Sequence, residues 1–348
     1  MLSGRLFFGF IGGPSDSYVD QKSRVMSTKD ILLGYLKEFK GVWVSGESLS
    51  NRIGITRSAI WKNIGKLREE GYVIESSPNK GYSLSRISEM LLPNEIREGL
   101  DTEVFGRGEI IHFREIDSTN ARAKELAVQG APEGTLVVSE TQTKGRGRKG
   151  RTWFSPSEAG IYASLILRPN IPPNEAPRIT FVTAVSAAEA LLALTSLEIA
   201  IKWPNDILVK NKKIAGILTE ISAEMDAIDY MVVGLGMNVN NPRLPDDIEE
   251  KATSIFIETG KRFPKVRIVR EYLRRQEKYC RILRDSGFEP ILRRWKELTN
   301  TIGKRIVVEM IDKRYTGVVQ DVDQEGVLIL KDEKGAFHRI LSGDVTFV

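Results

Sequence analysis

Residues 145–151 read Gly-Arg-Gly-Arg-Lys-Gly-Arg, four cations interleaved with three glycines, and Trp153 and Phe154 follow. Glycine lets the backbone come close to a ligand. Arginine brings a planar fork of donors that matches carboxylate and phosphate, and the two aromatics can wall an apolar space. By itself such a run equally suits a solvated basic loop or a nucleic-acid contact. A second cationic stretch follows at Lys202-Trp203-Pro204-Asn205-Asp206, with Lys213 beyond it. Pro204 breaks the apolar run that Lys202 ends. Asp206 and Lys213 flank a turn, so a carboxylate and an ammonium can face one cavity. Asp117-Ser118-Thr119-Asn120 sits where a strand gives way to a helix. Its side chains either cap that helix or bind a small polar ligand beside exposed N–H groups. Gly234-Leu235-Gly236-Met237-Asn238 contains a lone Gly-x-Gly, weak evidence for a nucleotide, and no Walker pattern is present.

The chain of 348 residues is long enough for two or three domains, with 41% apolar and 28% charged residues, an ordinary globular composition. A net charge of +5 is compatible with nucleic acid or nucleotide as partner. The single cysteine, Cys280, rules out an internal disulfide and points to a reducing compartment; it reads as a small packed hydrophobe. Two histidines, His112 and His338, argue against a His-rich metal site or a Ser-His-Asp triad. No metal ligands are assigned. The apolar stretch 179–194 carries Thr180, Thr183, Ser186 and Glu189 and reads as a buried helix rather than a membrane span.

The elements that hold these residues follow in order. Residues 1–27 read as a disordered leader, or as an upstream start with Met26 as the true first residue. Helical periodicity begins at Lys29, with Leu32, Tyr35, Leu36 and Phe39 as its stripe. Ser45 and Thr56 are placed to cap two further helices, Gly54 stops the first of them, and residues 72–74 and 79–84 suit a hairpin. This is a winged helix-turn-helix, its helix pair at about 46–65; a small helical protein-interaction domain is the alternative. The groove-facing side would carry Ser58, Trp61, Lys62, Asn63 and Lys66, and the wing Lys80. Strands are expected at 110–113, 135–141, 162–167, 199–209, 214–220 and 230–233, with helices at 121–129, 179–194 and 271–295. Alternating apolar runs from Arg305 onward suggest a small β-barrel. The fold class is α+β: winged head at 28–88, central α/β domain with a mixed sheet at 89–300, barrel at 301–348.

Asp117-Ser118-Thr119-Asn120, Gln142 with loop 145–151, Trp153, Lys202-Trp203-Pro204-Asn205-Asp206, Lys213-Ile214-Ala215-Gly216-Ile217-Leu218 and Gly236-Met237-Asn238 together resemble the biotin–protein ligase family. The likeness extends over about 28–348 and is strongest to bifunctional bacterial members that also repress the biotin operon. It implies a central ligase domain, an SH3-like C-terminal barrel, and activation of biotin by ATP to biotinyl-5′-AMP before transfer to a lysine of the biotin carboxyl carrier protein of acetyl-CoA carboxylase. It implies that Ser118, Thr119, Asn120, Gln142, Arg146, Gly147, Arg148 and Lys202 bind biotin. Arg146, Arg148, Arg151, Trp153, Lys202, Asn205, Lys213 and Asn238 would bind ATP or the adenylate, with Mg2+ on the phosphates. Arg148, Lys202, Asp206 and Lys213 would be catalytic. A cytoplasmic homodimer binding operator DNA of biotin genes, with the adenylate as co-repressor, is implied too. Three relatives of this pattern are weighed beside it: a DNA-binding sensor whose ligase activity is lost, a ligase whose head no longer regulates transcription, and a lipoate or octanoate transferase. The glycine–arginine loop is costly to order, so it is expected to fold over its ligand.

Overall fold

Ser27 opens the first helix by accepting from the Asp30 N–H at 3.2 Å, and the structure, a computed structural model, describes residues 27–310 and 312–348. The leader reading concerns residues outside those described, apart from Ser27. The chain divides into two compact units, one running to Arg68 and resuming at Ile74–Ser85, the other comprising Glu69–Val73 and Arg86–Val348.

The first unit contains α1 (Thr28–Glu38), α2 (Gly46–Ile53) and α3 (Arg57–Glu69), with the paired strands β1 (Val73–Ser77) and β2 (Gly81–Arg86). Ser45 caps α2 at 3.0 Å and Thr56 caps α3 at 3.2 Å, as the spacing predicts. Gly54 takes the left-handed conformation that ends α2. Leu32, Leu36, Leu49, Ile60, Ile64, Leu67 and Leu84 are buried, so each helix turns its apolar stripe inward.

The second unit is built on a seven-stranded mixed sheet. Its strands are β3 (Ile110–Ile116), β4 (Leu136–Gln142), β5 (Gly160–Leu167), β6 (Ile199–Lys202), β7 (Asp206–Val209), β8 (Lys212–Ala223) and β9 (Ile228–Asn238). Their spatial order is β3-β4-β5-β9-β8-β7-β6, and only β3 with β4 is parallel. Short α4 (Pro93–Arg97) precedes the sheet, α5 (Thr119–Val128) joins β3 to β4, and α6 (Pro177–Leu194) joins β5 to β6. After β9 come α7 (Ile255–Thr259), α8 (Lys265–Ser286) and α9 (Glu289–Leu298). Strand residues alternate between faces. Leu165, Val233, Leu235 and Ile217 belong to one apolar cluster with α6, α8 and α9, while Val137, Ile166 and Val232 pack with Ala123 and Ala127 of α5.

By length and composition α6 could cross a membrane, but it is buried in the core. Two of its hydroxyls are spent within the helix, Thr183 on Ile179 O at 2.8 Å and Ser186 on Val182 O at 2.7 Å, and Thr180 meets the Thr219 hydroxyl at 3.0 Å. Glu189 receives Arg275 and Arg294 at 2.6 and 2.8 Å.

The C-terminal strands are β10 (Arg305–Glu309), β11 (Arg314–Val322), β12 (Leu328–Asp332), β13 (Phe337–Ile340) and β14 (Asp344–Phe347), in the order β13-β12-β11-β10-β14. This corrects the expected barrel: the described strands do not close. Across a flat sheet β13 and β14 would stand ~19 Å apart, beyond the ~14 Å reach of the link 341–343, so the sheet is curled. The β14 edge meets side chains from earlier in the chain: Val345 O accepts from Lys202 at 3.2 Å, and Gly343 O, just before the strand, from Arg148 at 3.3 Å. The apolar alternation reveals the strands but not which side chains take the last edge.

Candidate active site

The floor of the candidate site follows from the strand register. Asp206 is paired with Gly216, Gly216 with Gly236, and Gly236 with Tyr162, forming one row. Leu218, Gly234 and Ser164 form the next. The two central positions must be glycine because side chains come down onto them. A Cβ on Gly236 would strike the Trp153 indole, and one on Gly234 would strike the Asn120 amide. The Gly-x-Gly noted in the sequence is therefore a cleared sheet surface.

At one end of the floor lies a polar network. Ser118 caps α5 at 3.4 Å, so its hydroxyl fulfils the capping reading. The Thr119 N–H donates to Gln142 Oε1 at 2.8 Å, with the Thr119 hydroxyl 3.1 Å from the same oxygen, and Gln142 Nε2 donates to Ser155 Oγ at 2.9 Å. Ser164 Oγ lies 2.8 Å from Thr119 Oγ1 and 2.6 Å from Asn120 Oδ1. Asn120 Nδ2 donates to Glu220 at 2.8 Å and Leu218 O at 3.2 Å. Ser118, Thr119, Asn120 and Ser164 are buried. Sequence reasoning missed Ser155, Ser164 and Glu220. A lone serine inside the apolar run 161–167 was the available signal for Ser164.

At the other end lies the charge cluster. Lys213 Nζ reaches Asp206 Oδ1 at 2.6 Å and Lys202 Nζ reaches Oδ2 at 3.4 Å. Burial pushes the Asp206 carboxyl up, yet Lys213 and Lys202 more than offset it and hold it below the usual carboxylate range. Arg148 joins the cluster through Asn205 Oδ1 at 3.1 Å. Trp153 lies between the two ends, its ring 5.3 Å from Lys213 Nζ. Among the described residues its buried indole N–H has no hydrogen-bond partner, a donor that a ligand between the two ends would satisfy.

The remaining expected ligand residues divide differently. Loop 145–151 closes on itself, Gly147 N–H donating to Arg151 O at 2.7 Å and the Arg146 backbone bridging Thr152. Lys149 donates to Glu309 O at 2.9 Å, and Arg151 meets Asp344 at 2.8 Å. These contacts fasten the loop to the C-terminal sheet. The Arg146 and Phe154 side chains are exposed. Asn205 Nδ2 donates to Ile217 O at 2.7 Å and Asn238 Nδ2 to Thr253 O at 3.0 Å, so the NH2 group of each is bonded to backbone. Trp203 is buried, its N–H donating to Thr301 and its indole to Gly326 O at 3.3 Å; this motif tryptophan docks the C-terminal sheet.

In the head, Ser58, Trp61, Lys62, Lys66 and Lys80 are exposed, and the Trp61 indole stands 69% open on α3. Asn63 is half-buried and bonds its own helix at Ala59 O, 2.9 Å away, so the structure does not group its amide with the exposed side chains.

A second buried ion pair lies apart from the floor. Glu140 meets Lys265 at 2.6 Å and His112 at 3.1 Å and accepts the Leu91 N–H at 2.7 Å. Burial raises its carboxyl, and the His112 and Lys265 contacts pull it below the usual range. Glu140 and Asp206 both bind protons more weakly folded than unfolded. Their stabilisation is therefore complete above the ordinary carboxylate pKa of about 4 and is lost as pH falls through their lower folded values. Urea unfolding midpoints should fall on acidification below about pH 4. Glu140→Gln should cost about 3 kcal/mol at neutral pH, by stranding Lys265, and should flatten the acid limb. An unchanged acid limb would assign the acid sensitivity to other groups.

A model of the biotin/lipoate A/B protein ligase family matches residues 112–238, an HTH domain model matches 30–83, and a biotin protein ligase C terminal domain model matches 301–348. Over 305 residues the chain is 39% identical to the bifunctional ligase/repressor BirA of Bacillus spizizenii, covering 87% of this chain and 93% of that protein. The bifunctional ligase/repressor BirA of Escherichia coli is 29% identical over 306 residues, covering 88% and 93%. The solved biotin protein ligase from Aquifex aeolicus in complex with biotin and ATP has a TM-score of 0.61 at 29% identity, covering 69% of this chain and 99% of that one.

Proposed function

The chain belongs to the biotin protein ligase family, among its bifunctional ligase/repressor members, and from that premise we propose that it biotinylates a carrier protein and represses transcription by binding DNA through its head. The observation that carries the ligase reading is one glycine-floored face with a polar network at one end and Arg148, Lys202 and Lys213 at the other.

Biotin is a neutral ureido ring system joined by an apolar chain to a carboxylate. The ring suits Ser118, Thr119, Asn120 and Gln142, the chain suits the floor under Trp153, and the carboxylate suits Arg148, Lys202 and Lys213. A carboxylate is a poor acyl donor. Its oxygen attacks the α-phosphorus of ATP, pyrophosphate leaves, and the mixed anhydride biotinyl-5′-AMP is formed. A carrier lysine amine then attacks the biotinyl carbon, AMP leaves with the anhydride oxygen, and the amine proton passes to a base. Asp206, held ionised between two lysines, is assigned to orient that amine. In the first step two anions must approach, and preplaced cations lower that barrier. Arg146, Gly147, Arg148 and Arg151 are assigned to close over the adenylate, Trp153, Asn205, Lys213 and Asn238 to hold it or its supports. Among the described residues no group of three His, Cys, Asp or Glu side chains is suited to a metal, so Mg2+ fits as a companion of the ATP phosphates, where it screens their charge.

The three functional parts are assigned as 28–88, 89–300 and 301–348. The acceptor is a biotin carboxyl carrier protein, the DNA an operator of biotin genes, and the active repressor a cytoplasmic homodimer. Such a dimer matches a two-part operator. Incubation with biotin, ATP, Mg2+ and a carrier domain should add one biotinyl group to one carrier lysine. A gel shift on operator DNA should strengthen with biotin and ATP. Ligation without any DNA shift would leave a ligase whose head does not regulate. Activity on lipoate or octanoate in place of biotin would make it a relative of the transferases.

Lys62 and Lys66 are exposed cations on α3. Replacing both by alanine should weaken operator binding and reduce the salt dependence of log K by about 2. An unaltered salt slope would put the phosphate contacts elsewhere.

A further inference from the structure

We propose that Glu220 is a positioning residue for biotin: its carboxylate fixes which way the Asn120 amide points and thereby the direction of the hydrogen bonds that meet the ureido ring. The inference rests on the ligase reading and concerns a residue on the same sheet face. Glu220 is paired with Val232 on β9, one row beyond Gly234. Asn120 reaches over Gly234 so closely that only glycine leaves room.

An amide can be turned either way, and its surroundings decide. Here the Nδ2 side of Asn120 faces two acceptors, Glu220 Oε2 at 2.8 Å and Leu218 O at 3.2 Å. A carboxylate has no proton to give, so this side must carry the NH2 group. Asn120 Oδ1 then faces Ser164 Oγ at 2.6 Å and must accept its proton. With its one proton committed there, Ser164 can only accept from Thr119, 2.8 Å away. The anion at the end of the line thus sets the donors and acceptors of Asn120, Ser164 and the Thr119 hydroxyl, while Gln142 takes its direction from the Thr119 N–H. Hydrogen bonds to charged groups exceed neutral ones in strength, so Glu220 holds this direction more firmly than Leu218 O alone.

The test is a double-mutant cycle on the full-length protein, read as KM for biotin and kcat in pyrophosphate release, with melting temperature as the control for folding. Asn120→Asp sets two carboxylates within hydrogen-bonding distance, and KM should rise about 100-fold with kcat changed far less. Adding Glu220→Gln restores a donor–acceptor pair with the same net charge: the new amide donates to the new carboxylate, which still accepts from Ser164. KM should recover by about tenfold, the remainder reflecting Leu218 O facing an anion. Glu220→Gln alone keeps an acceptor for Asn120 and should raise KM only a few-fold. Additive effects of the two substitutions, or equal changes in KM and kcat, would overturn the proposal. If Asn120→Asp does not fold, Asn120→Ser replaces it: without the amide to orient, further change of Glu220 to Gln should leave KM where it is, and an added rise would overturn the proposal. Wild-type protein that does not turn over biotin at all would sink the ligase reading instead, a distinct result.

Discussion

Replacing Lys202 by alanine lowers the rate of pyrophosphate release from ATP and biotin by about 10²–10³-fold, the loss expected when one preplaced charge at a reacting centre is removed. Lys202 ends β6 and is only 20% exposed; it is fixed by Asp206 at 3.4 Å and by Val345 O at 3.2 Å, with the Phe347 ring 5.8 Å away. A cation so held does not reorganise when charge develops beside it. Lys202→Arg should recover little, because a planar fork does not fit the space of a point charge contacting a carboxylate and a strand carbonyl. A decrease below tenfold, with Lys213→Ala equally mild, would mean that the lysines serve to neutralise Asp206 and not to draw the two anions together.

Trp203→Ala should cost about 3–5 kcal/mol of stability, in the range for a fully buried aromatic. Trp203 is 1% exposed and belongs to the central apolar cluster. Its indole N–H ends on Gly326 O of the C-terminal sheet. Urea unfolding should show the lower midpoint, and the same sheet carries Gly343, Asp344 and Val345, which hold the arginine loop and Lys202. Activity should fall with stability. Trp203→Phe should retain most of the packing and lose about 1 kcal/mol, the worth of the hydrogen bond. A stable Trp203→Ala protein with weakened ATP binding alone would instead make the indole a ligand contact.

These two neighbours in sequence illustrate what can be read before folding. Lys202, Asp206 and Lys213 are legible because a short hairpin dictates their meeting, and turn chemistry with spacing suffices. Ser45, Thr56 and Gly54 are legible for the same local reason. Trp203 carries no assigned role in the motif, and in the fold it secures the C-terminal sheet through partners about a hundred residues away, which no local pattern records. Asp344 lay in a stretch without any motif, and Ser164 inside an apolar strand. Glu220 ended the expected strand 214–220 unremarked. The barrel expectation failed for a like reason: alternation reveals strands, while closure depends on how their two outer edges meet, which no local pattern records. The glycines at 234 and 236 carried a weak phosphate signal in sequence. Register turns them into the floor of the site.

The most direct test is to mix the purified chain with biotin, ATP and Mg2+ in the absence of any carrier and to analyse the bound fraction by mass spectrometry. The account predicts biotinyl-5′-AMP at about one per chain, since a closed loop shields the anhydride from water, and its loss in Lys202→Ala. Absence of adenylate from folded wild-type protein, with biotin recovered unchanged, would contradict it.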